Sequence, residues 1–369
     1  MIYYLTFGIS ILCMTIYSRL RDRVATIGSF FLCIGVLSIT ILNGVRDYSI
    51  GTDIGVYGNT FYNIAINSNK LVNYFENLNA VGGTEPGYAV LNYVISRISD
   101  SPHLFYFFVG LIINVNILYA ILNIRDKINV AIAWGTFLFL YYPTTLNLLR
   151  QSISVSMVLL GISMVYKKKS ILKSAIPFIC ACLFHNSAVI ALIIYILGVT
   201  IVYIDNKKVT YSAIGGGILF SIILPHIVFL LNEHGIFDSK YEQYLSWQGA
   251  TSITGSLLIR VPILIGLILI FVLNKKTDKS DIYIYILMIM EILLLPLQNM
   301  SVTIGRLMLY FGISRIVGYP LVLSKFKENK CIYFLLVVLY MIYIVVVFYY
   351  QIVISHNNEV YPFIIGNDI

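Results

Sequence analysis

Three arginines of this chain stand at the predicted starts of apolar helices, where a basic side chain opposes the helix dipole. They are Arg150, Arg260 and Arg306. A cation at an exposed helix N-terminus costs roughly 0.3–1 kcal/mol. Helix N-termini and guanidinium forks together form a strong site for an anion. We therefore expect the three arginines to share a phosphate or pyrophosphate; the alternative is that each extends to lipid headgroups.

Each of these arginines follows a residue that is suited to cap a helix. The three predicted caps are Asn147, Ser256 and Thr303. This placement puts Arg150 and Arg306 in a first turn and Arg260 about one turn further in. Gln151, next to Arg150, is a secondary candidate for substrate contact, and so is Tyr310.

Arg46 is a fourth candidate for binding the anion. It follows the end of a predicted helix, where the dipole favours a cation, so a structural role is the simpler interpretation. The loop that follows argues for function. Gly51 and Gly55 indicate a tight turn around Asp53, which has no adjacent basic residue. Tyr57, at the end of this segment, is a third secondary candidate for substrate contact.

Asp53, Glu85 and His185 are the candidate general bases, because a carboxylate or an imidazole can accept the proton of an attacking hydroxyl group. Glu85 precedes Pro86 and is equally typical of a helix start. His185 lies at a junction between two predicted spans, where a structural hydrogen bond is the commoner role. The sequence leaves the choice among the three open.

The elements that must position these residues are membrane helices. The chain has 369 residues, is 59% hydrophobic and 11% charged, and has a mean hydropathy of +0.86; a soluble domain carries about 25% charged residues. We predict an all-α polytopic membrane protein, a single transmembrane domain over 1–369, with about twelve spans. They lie near 2–18, 25–43, 103–123, 129–145, 147–166, 171–185, 188–204, 209–231, 256–273, 282–300, 303–323 and 331–353.

The basic residues predict the orientation. Seventeen of the 25 lysines and arginines fall in alternate loops on one side of the predicted bundle, which is therefore the cytoplasmic side. Both termini then face outward. The net charge of +8 follows from this topology, and the scattered basic residues predict no nucleic-acid binding.

Two predicted outer loops are long. The first, 44–102, contains apolar residues at helical spacing and a helix start at Glu85-Pro86, which predicts amphipathic helices at the membrane surface. The second, 232–255, is polar and aromatic and is suited to contact sugars or to cap the bundle.

Glu291 and Arg315 are predicted to form a buried structural ion pair, because an unpaired charge inside a membrane is costly. The sequence has no nucleotide-binding loop, and its predicted outer loops have no carboxylate pair at one- or two-residue spacing. We therefore expect no cofactor and no metal.

The spacing of five short motifs resembles that of the EpsG/Wzy polymerases, which assemble bacterial surface polysaccharides such as O-antigen, capsule and exopolysaccharide. The motifs are Arg46…Gly51-Thr52-Asp53…Tyr57, Glu85-Pro86, Leu149-Arg150-Gln151, Phe184-His185-Asn186-Ser187 and Arg306-Leu307…Tyr310-Phe311.

The resemblance implies a GT-C-like glycosyltransferase of the bacterial inner membrane whose active site faces the periplasm. Such an enzyme transfers a growing glycan from undecaprenyl pyrophosphate to the non-reducing end of an incoming lipid-linked unit. Its partners would be the undecaprenyl-pyrophosphate-linked oligosaccharide, the lipid bilayer and a chain-length regulator. Two alternatives are a flippase for lipid-linked oligosaccharides and a membrane acyltransferase that modifies surface sugars.

Overall fold

The computed structural model describes residues 2–233, 256–257, 259–300 and 305–366. In these ranges the regular structure is helical. The α-helices are α1 Ile2–Leu20, α2 Ala25–Gly44, α3 Phe61–Ile66, α4 Leu71–Ala80, α5 Pro86–Ser96, α6 Pro102–Asn123, α7 Val130–Leu140, α8 Tyr142–Asn147, α9 Leu149–Tyr166, α10 Ile171–Cys182, α11 Ile190–Tyr203, α12 Lys207–Glu233, α13 Val261–Val272, α14 Lys279–Leu293, α15 Leu297–Met300, α16 Leu309–Gly312, α17 Arg315–Ser324 and α18 Lys330–Phe348.

The chain is a polytopic membrane protein, as predicted, but the count of twelve spans is not confirmed. Seven helices of the described ranges are long and apolar enough to cross a bilayer. The predicted fourth, sixth and ninth spans are α7, α10 and α13, which have 11 or 12 residues. At about 1.5 Å per residue, each falls well short of a hydrocarbon layer about 30 Å thick.

Large apolar side chains cover the outside of the bundle. Leu172 is 80% exposed and Phe271 82% exposed, and Phe334 and Tyr211 are also well exposed. Apolar surface this extensive would be unfavourable in water and is stable against lipid chains. The hydropathy of the sequence therefore reports the lipid-facing side chains as well as the core.

The interior contains small polar residues that join helices. Two asparagines of α6 donate to serines of α9: Asn116 to Ser156 at 3.1 Å and Asn123 to Ser163 at 2.9 Å. Small hydroxyl and amide side chains allow close helix approach and provide hydrogen bonds between helices in a membrane. These contacts fix α9, and with it Arg150 at its first turn.

The first predicted outer loop contains a π-helical segment, Ile54–Thr60, followed by α3, α4 and α5. The helix start predicted at Glu85-Pro86 is observed, with Glu85 in the extended conformation of an N-cap and Pro86 as the first residue. The second predicted outer loop, 232–255, lies almost wholly outside the described residues.

The C-terminal segment folds back onto the start of the first loop. The Asp47 amide donates to the Ile364 carbonyl at 2.9 Å, and the Gly51 amide donates to the Glu359 carbonyl at 3.1 Å. The Tyr3 hydroxyl donates to the Val360 carbonyl at 2.7 Å. Two ends of the chain therefore hold the loop that contains Asp53.

Candidate functional site

The loop around Asp53 is held against the end of α8. Gly51 has φ +92°, and a Cβ there would lie 2.8 Å from the Leu146 carbonyl oxygen, so this position requires glycine. The Asn147 side-chain oxygen accepts from the Asp53 amide at 3.0 Å and from the Thr52 hydroxyl at 3.1 Å. Asn147 therefore positions Asp53. Its predicted role as the cap of α9 is wrong, because α9 has no side-chain cap.

Glu85 and Arg150 form an ion pair that is largely buried. Arg150 Nη1 lies 2.6 Å from Glu85 Oε2 and donates to the Thr84 hydroxyl at 3.1 Å. The other carboxylate oxygen of Glu85 accepts from the Asn186 amide at 3.1 Å. The guanidinium of Arg150 also lies over the Tyr57 ring, 3.8 Å from its centre. Both oxygens of Glu85 are thus occupied, and Arg150 is held in place on two sides.

His185 lies beside this pair at the start of a short 3₁₀ turn. Its Nδ1 contacts the Ser187 hydroxyl at 2.6 Å. The Ser187 hydroxyl is 3.1 Å from the Tyr310 hydroxyl, which is 3.3 Å from the Ser154 hydroxyl. This chain of hydroxyl groups connects His185 to α9 and α16.

Arg306 is the less tightly paired of the two arginines in the cluster. Its side chain is 30% exposed, and Nη1 lies 3.6 Å from Asp53 Oδ2, longer than a hydrogen bond. The Gln151 amide donates to the Arg306 carbonyl at 3.0 Å, which fixes the backbone, whereas the guanidinium group makes no hydrogen bond with the described residues. Arg306 therefore has N–H donors available for an incoming anion.

The charges of the cluster interact. Burial raises the pKa of Asp53 above its ordinary value, although Arg306 and Arg150 act to lower it. Burial acts to raise the pKa of Glu85 as well, but Arg150 and backbone amides lower it below its ordinary value. Burial lowers the pKa of His185 to about 4. At neutral pH Glu85 is therefore ionised and His185 is neutral.

Two predicted anion ligands lie elsewhere. Arg46 is fully buried, donates to the Leu146 carbonyl and stacks over the Tyr106 ring at 4.5 Å. Arg260 is 7% exposed, and its Nε donates to both oxygens of Glu291, at 2.8 and 3.0 Å. The structure does not bring these two guanidinium groups into the cluster around Asp53.

The other predicted cap positions also differ. Arg260 itself is the N-cap of α13, so the prediction that Ser256 caps this helix is wrong. Thr303 lies outside the described residues. The tertiary partners of the arginines, rather than the helix dipoles, therefore explain their positions.

The cluster thus unites eight of the ten predicted site residues from five separate parts of the chain. They are Asp53, Tyr57, Glu85, Arg150, Gln151, His185, Arg306 and Tyr310. In a comparison with known protein families, the EpsG family model matches residues 29–365, a range that includes all eight positions. The chain belongs to the EpsG family. Membership suggests a polysaccharide polymerase of the membrane-embedded, glycosyltransferase-like kind.

No curated protein and no solved structure matches this EpsG-family chain. The arrangement of its site therefore rests on its own geometry.

Sequence reasoning missed three residues of the EpsG-family site. Thr84 contacts Arg150, and Ser154 and Ser187 extend the hydroxyl chain from Tyr310. Ser187 belongs to the motif Phe184-His185-Asn186-Ser187, and Thr84 precedes the motif Glu85-Pro86. Ser154 had no local signal, because a serine one turn into an apolar helix is common.

The predicted buried pair of Glu291 and Arg315 is confirmed, and Arg260 joins it. Arg315 Nη2 lies 3.6 Å from Glu291 Oε1, and the Glu291 side chain is 2% exposed. We expect Glu291→Gln to lower the free energy of unfolding by about 3–5 kcal/mol, because two buried guanidinium groups lose their only carboxylate among the described residues. Thermal unfolding of the protein in lipid nanodiscs measures this.

Glu328→Gln is the matched control. Glu328 pairs with Lys275 at 2.8 Å, but its side chain is 83% exposed, so this substitution should leave the stability of the protein close to that of the wild type. Equal stability of the two variants would contradict the structural role of Glu291.

Proposed function

We propose that this protein polymerises lipid-linked oligosaccharides. It would transfer a growing glycan from undecaprenyl pyrophosphate to the non-reducing end sugar of an incoming undecaprenyl-pyrophosphate-linked unit. The observation that carries the proposal is the contact between Arg306 and Asp53, which places a guanidinium group that is 30% exposed 3.6 Å from a carboxylate. A glycosyl transfer from a pyrophosphate needs a cation to stabilise the leaving group and a carboxylate to take the proton of the acceptor hydroxyl.

Arg306 is the proposed ligand of the pyrophosphate. As the bond between the anomeric carbon and the pyrophosphate oxygen breaks, the electron pair leaves with the pyrophosphate. A guanidinium fork aimed at these oxygens stabilises the charge that develops there. Arg150 adds a second positive charge nearby, fixed by Glu85 and Tyr57.

Asp53 is the proposed general base. The acceptor hydroxyl oxygen forms the new glycosidic bond, and its proton passes to the carboxylate. Glu85 is less suited, because both of its oxygens accept hydrogen bonds. His185 is also less suited, because its Nδ1 is engaged by the Ser187 hydroxyl at 2.6 Å.

The remaining residues would position the substrates. Gln151 holds the Arg306 backbone, and Tyr57 supports Arg150. Tyr310 and His185 line the hydroxyl chain that ends at Ser154 and are suited to contact sugar hydroxyl groups. The basic residues in the predicted alternate loops support a reaction on the periplasmic side of the inner membrane.

Deletion of the gene tests the proposal. Gel electrophoresis of surface polysaccharide should show the loss of the long-chain ladder, while single repeat units still reach the surface. Complementation with the wild-type gene is the control. Loss of the single-unit band would instead indicate the flippase, and an unchanged ladder would leave sugar modification by an acyltransferase.

A further inference from the structure

A polar cavity lies on a different side of the Arg306–Gly312 segment from the hydroxyl chain. Leu309 lines this cavity, whereas the next residue, Tyr310, contacts Ser187 and Ser154. The cavity has a volume of about 150 Å³. A single water needs roughly 10–15 Å³ on this measure, so there is room for a much larger polar group.

The cavity carries an uncompensated positive charge. Arg260 and Arg315 both line it, and both pair with the single carboxylate of Glu291. No carboxylate of the described residues lines the cavity, and Glu359, on the neighbouring C-terminal turn, is exposed. An excess charge that is largely removed from solvent is costly unless an anion joins it.

The geometry of the arginines leaves donors for such an anion. Arg315 Nε donates to the Tyr141 hydroxyl at 2.7 Å, and Nη2 is 3.6 Å from Glu291. Its Nη1 makes no hydrogen bond with the described residues. These contacts therefore hold one edge of the Arg315 guanidinium group, and the N–H donors of its other edge are available to an anion.

Neutral amides complete the lining. Gln351 belongs to the π-helical segment Tyr349–Ile354 that follows α18, and Asn357 belongs to the C-terminal turn; the Gln351 side chain makes no hydrogen bond within the described part of the chain. Amide N–H groups that converge with a guanidinium on one polar cavity are typical of a site for an oxyanion.

We propose that this cavity is a second anion-binding site, which takes a phosphate or carboxylate group of the substrate. The identity of that substrate rests on the proposed function: the anion belongs either to a lipid pyrophosphate or to an acidic sugar of the glycan. The site is distinct from the cluster at Arg306 in its residues and in its net charge.

Anion binding to the purified protein in nanodiscs tests this inference. The probes are inorganic pyrophosphate and glucuronate, and the measurement is isothermal titration calorimetry. Arg306→Gln first removes the other proposed site. In that background at least one probe should still bind, and Gln351→Leu with Asn357→Leu should weaken its binding at least tenfold. Asn69→Leu, an exposed residue of the first loop, is the matched control and should change nothing.

The results separate the two proposals. Binding of pyrophosphate alone assigns the cavity to a phosphoryl group, and binding of glucuronate assigns it to an acidic sugar. If Arg306→Gln abolishes all binding, or if the two leucine substitutions have no effect, the cavity site is excluded while the role of Arg306 stands. If Arg306→Gln changes nothing and the leucine pair removes all binding, the cavity site is supported and the proposed role of Arg306 fails. Unchanged thermal unfolding of the leucine variant without anion confirms that it is folded.

Discussion

Asp53→Asn should lower the rate of polymer formation by about 10²–10⁴, the usual contribution of a general base. The substitution keeps the shape of the side chain and the backbone bond to Asn147 at 3.0 Å, so the loop should remain in place. The substitution removes the carboxylate that would take the proton of the acceptor hydroxyl. The measurement is the turnover of purified lipid-linked repeat units by the protein in nanodiscs.

Two further variants make this test specific. Asp53→Glu retains a carboxylate and should recover part of the rate. Asp47→Asn alters a nearby carboxylate that only caps Ser49 at 2.9 Å, and its rate should match that of the wild type. Wild-type turnover by Asp53→Asn would exclude Asp53 as the base and leave His185 as the residue to test.

The pH dependence of turnover gives a second readout for Asp53. The base must be ionised, so the rate should fall as pH drops through the pKa of Asp53, which burial raises above 3.8. Arg306 acts to lower this pKa. The residual activity of Arg306→Gln should therefore fall at a higher pH than wild-type activity, and a shift to lower pH would contradict the pairing.

Arg306→Ala is the second variant with a large expected effect. Loss of one donor to a developing oxyanion typically lowers turnover by about 10²–10³. Because the side chain is 30% exposed and its contact with Asp53 is 3.6 Å long, stability should change by less than about 1 kcal/mol. Turnover and thermal unfolding, measured on the same nanodisc preparation, separate the two effects.

Lysine at this position should restore only a small part of the rate, since it keeps the charge but lacks the bidentate fork. Arg23→Ala, at an exposed arginine of the turn after α1, is the control. Arg150 is a poorer test, because its loss leaves Glu85, with a side chain only 5% exposed, without its cation. A reduced rate in Arg150→Ala could then arise from instability. Full turnover by Arg306→Ala would exclude the proposed pyrophosphate ligand.

Short motifs in the sequence predicted the cluster better than the helix-start argument did. Each motif supplies one charged or titratable residue to the cluster, and each motif contacts another one in the folded chain. These residues are Asp53, Glu85, Arg150, His185 and Arg306. Arg260 and Arg306 both follow a predicted helix start, so the helix dipole alone does not distinguish them. The difference lies in Glu291, the partner of Arg260 31 residues away.

Arg46 shows the same limit. Its local setting, a tight loop with glycines and an acid, resembled a binding site, yet its guanidinium is enclosed by tyrosines and bonded to Leu146, 100 residues away. The sequence predicts that Asn147 caps the helix that follows it, whereas its side chain instead holds the Asp53 backbone. In both residues, a long-range contact outweighed the local preference.

The sequence by itself determined the membrane class, the helical content, the helix start at Pro86 and the buried pair of Glu291 with Arg315. These follow from local properties: hydropathy, the fixed φ of proline, and the cost of an unpaired charge in lipid. Only the tertiary structure decided which arginine is loosely paired, which carboxylate is partly exposed and where a cavity remains. Those features depend on which side chains meet across the bundle, and contacts between residues far apart in the chain leave no periodic signal in it.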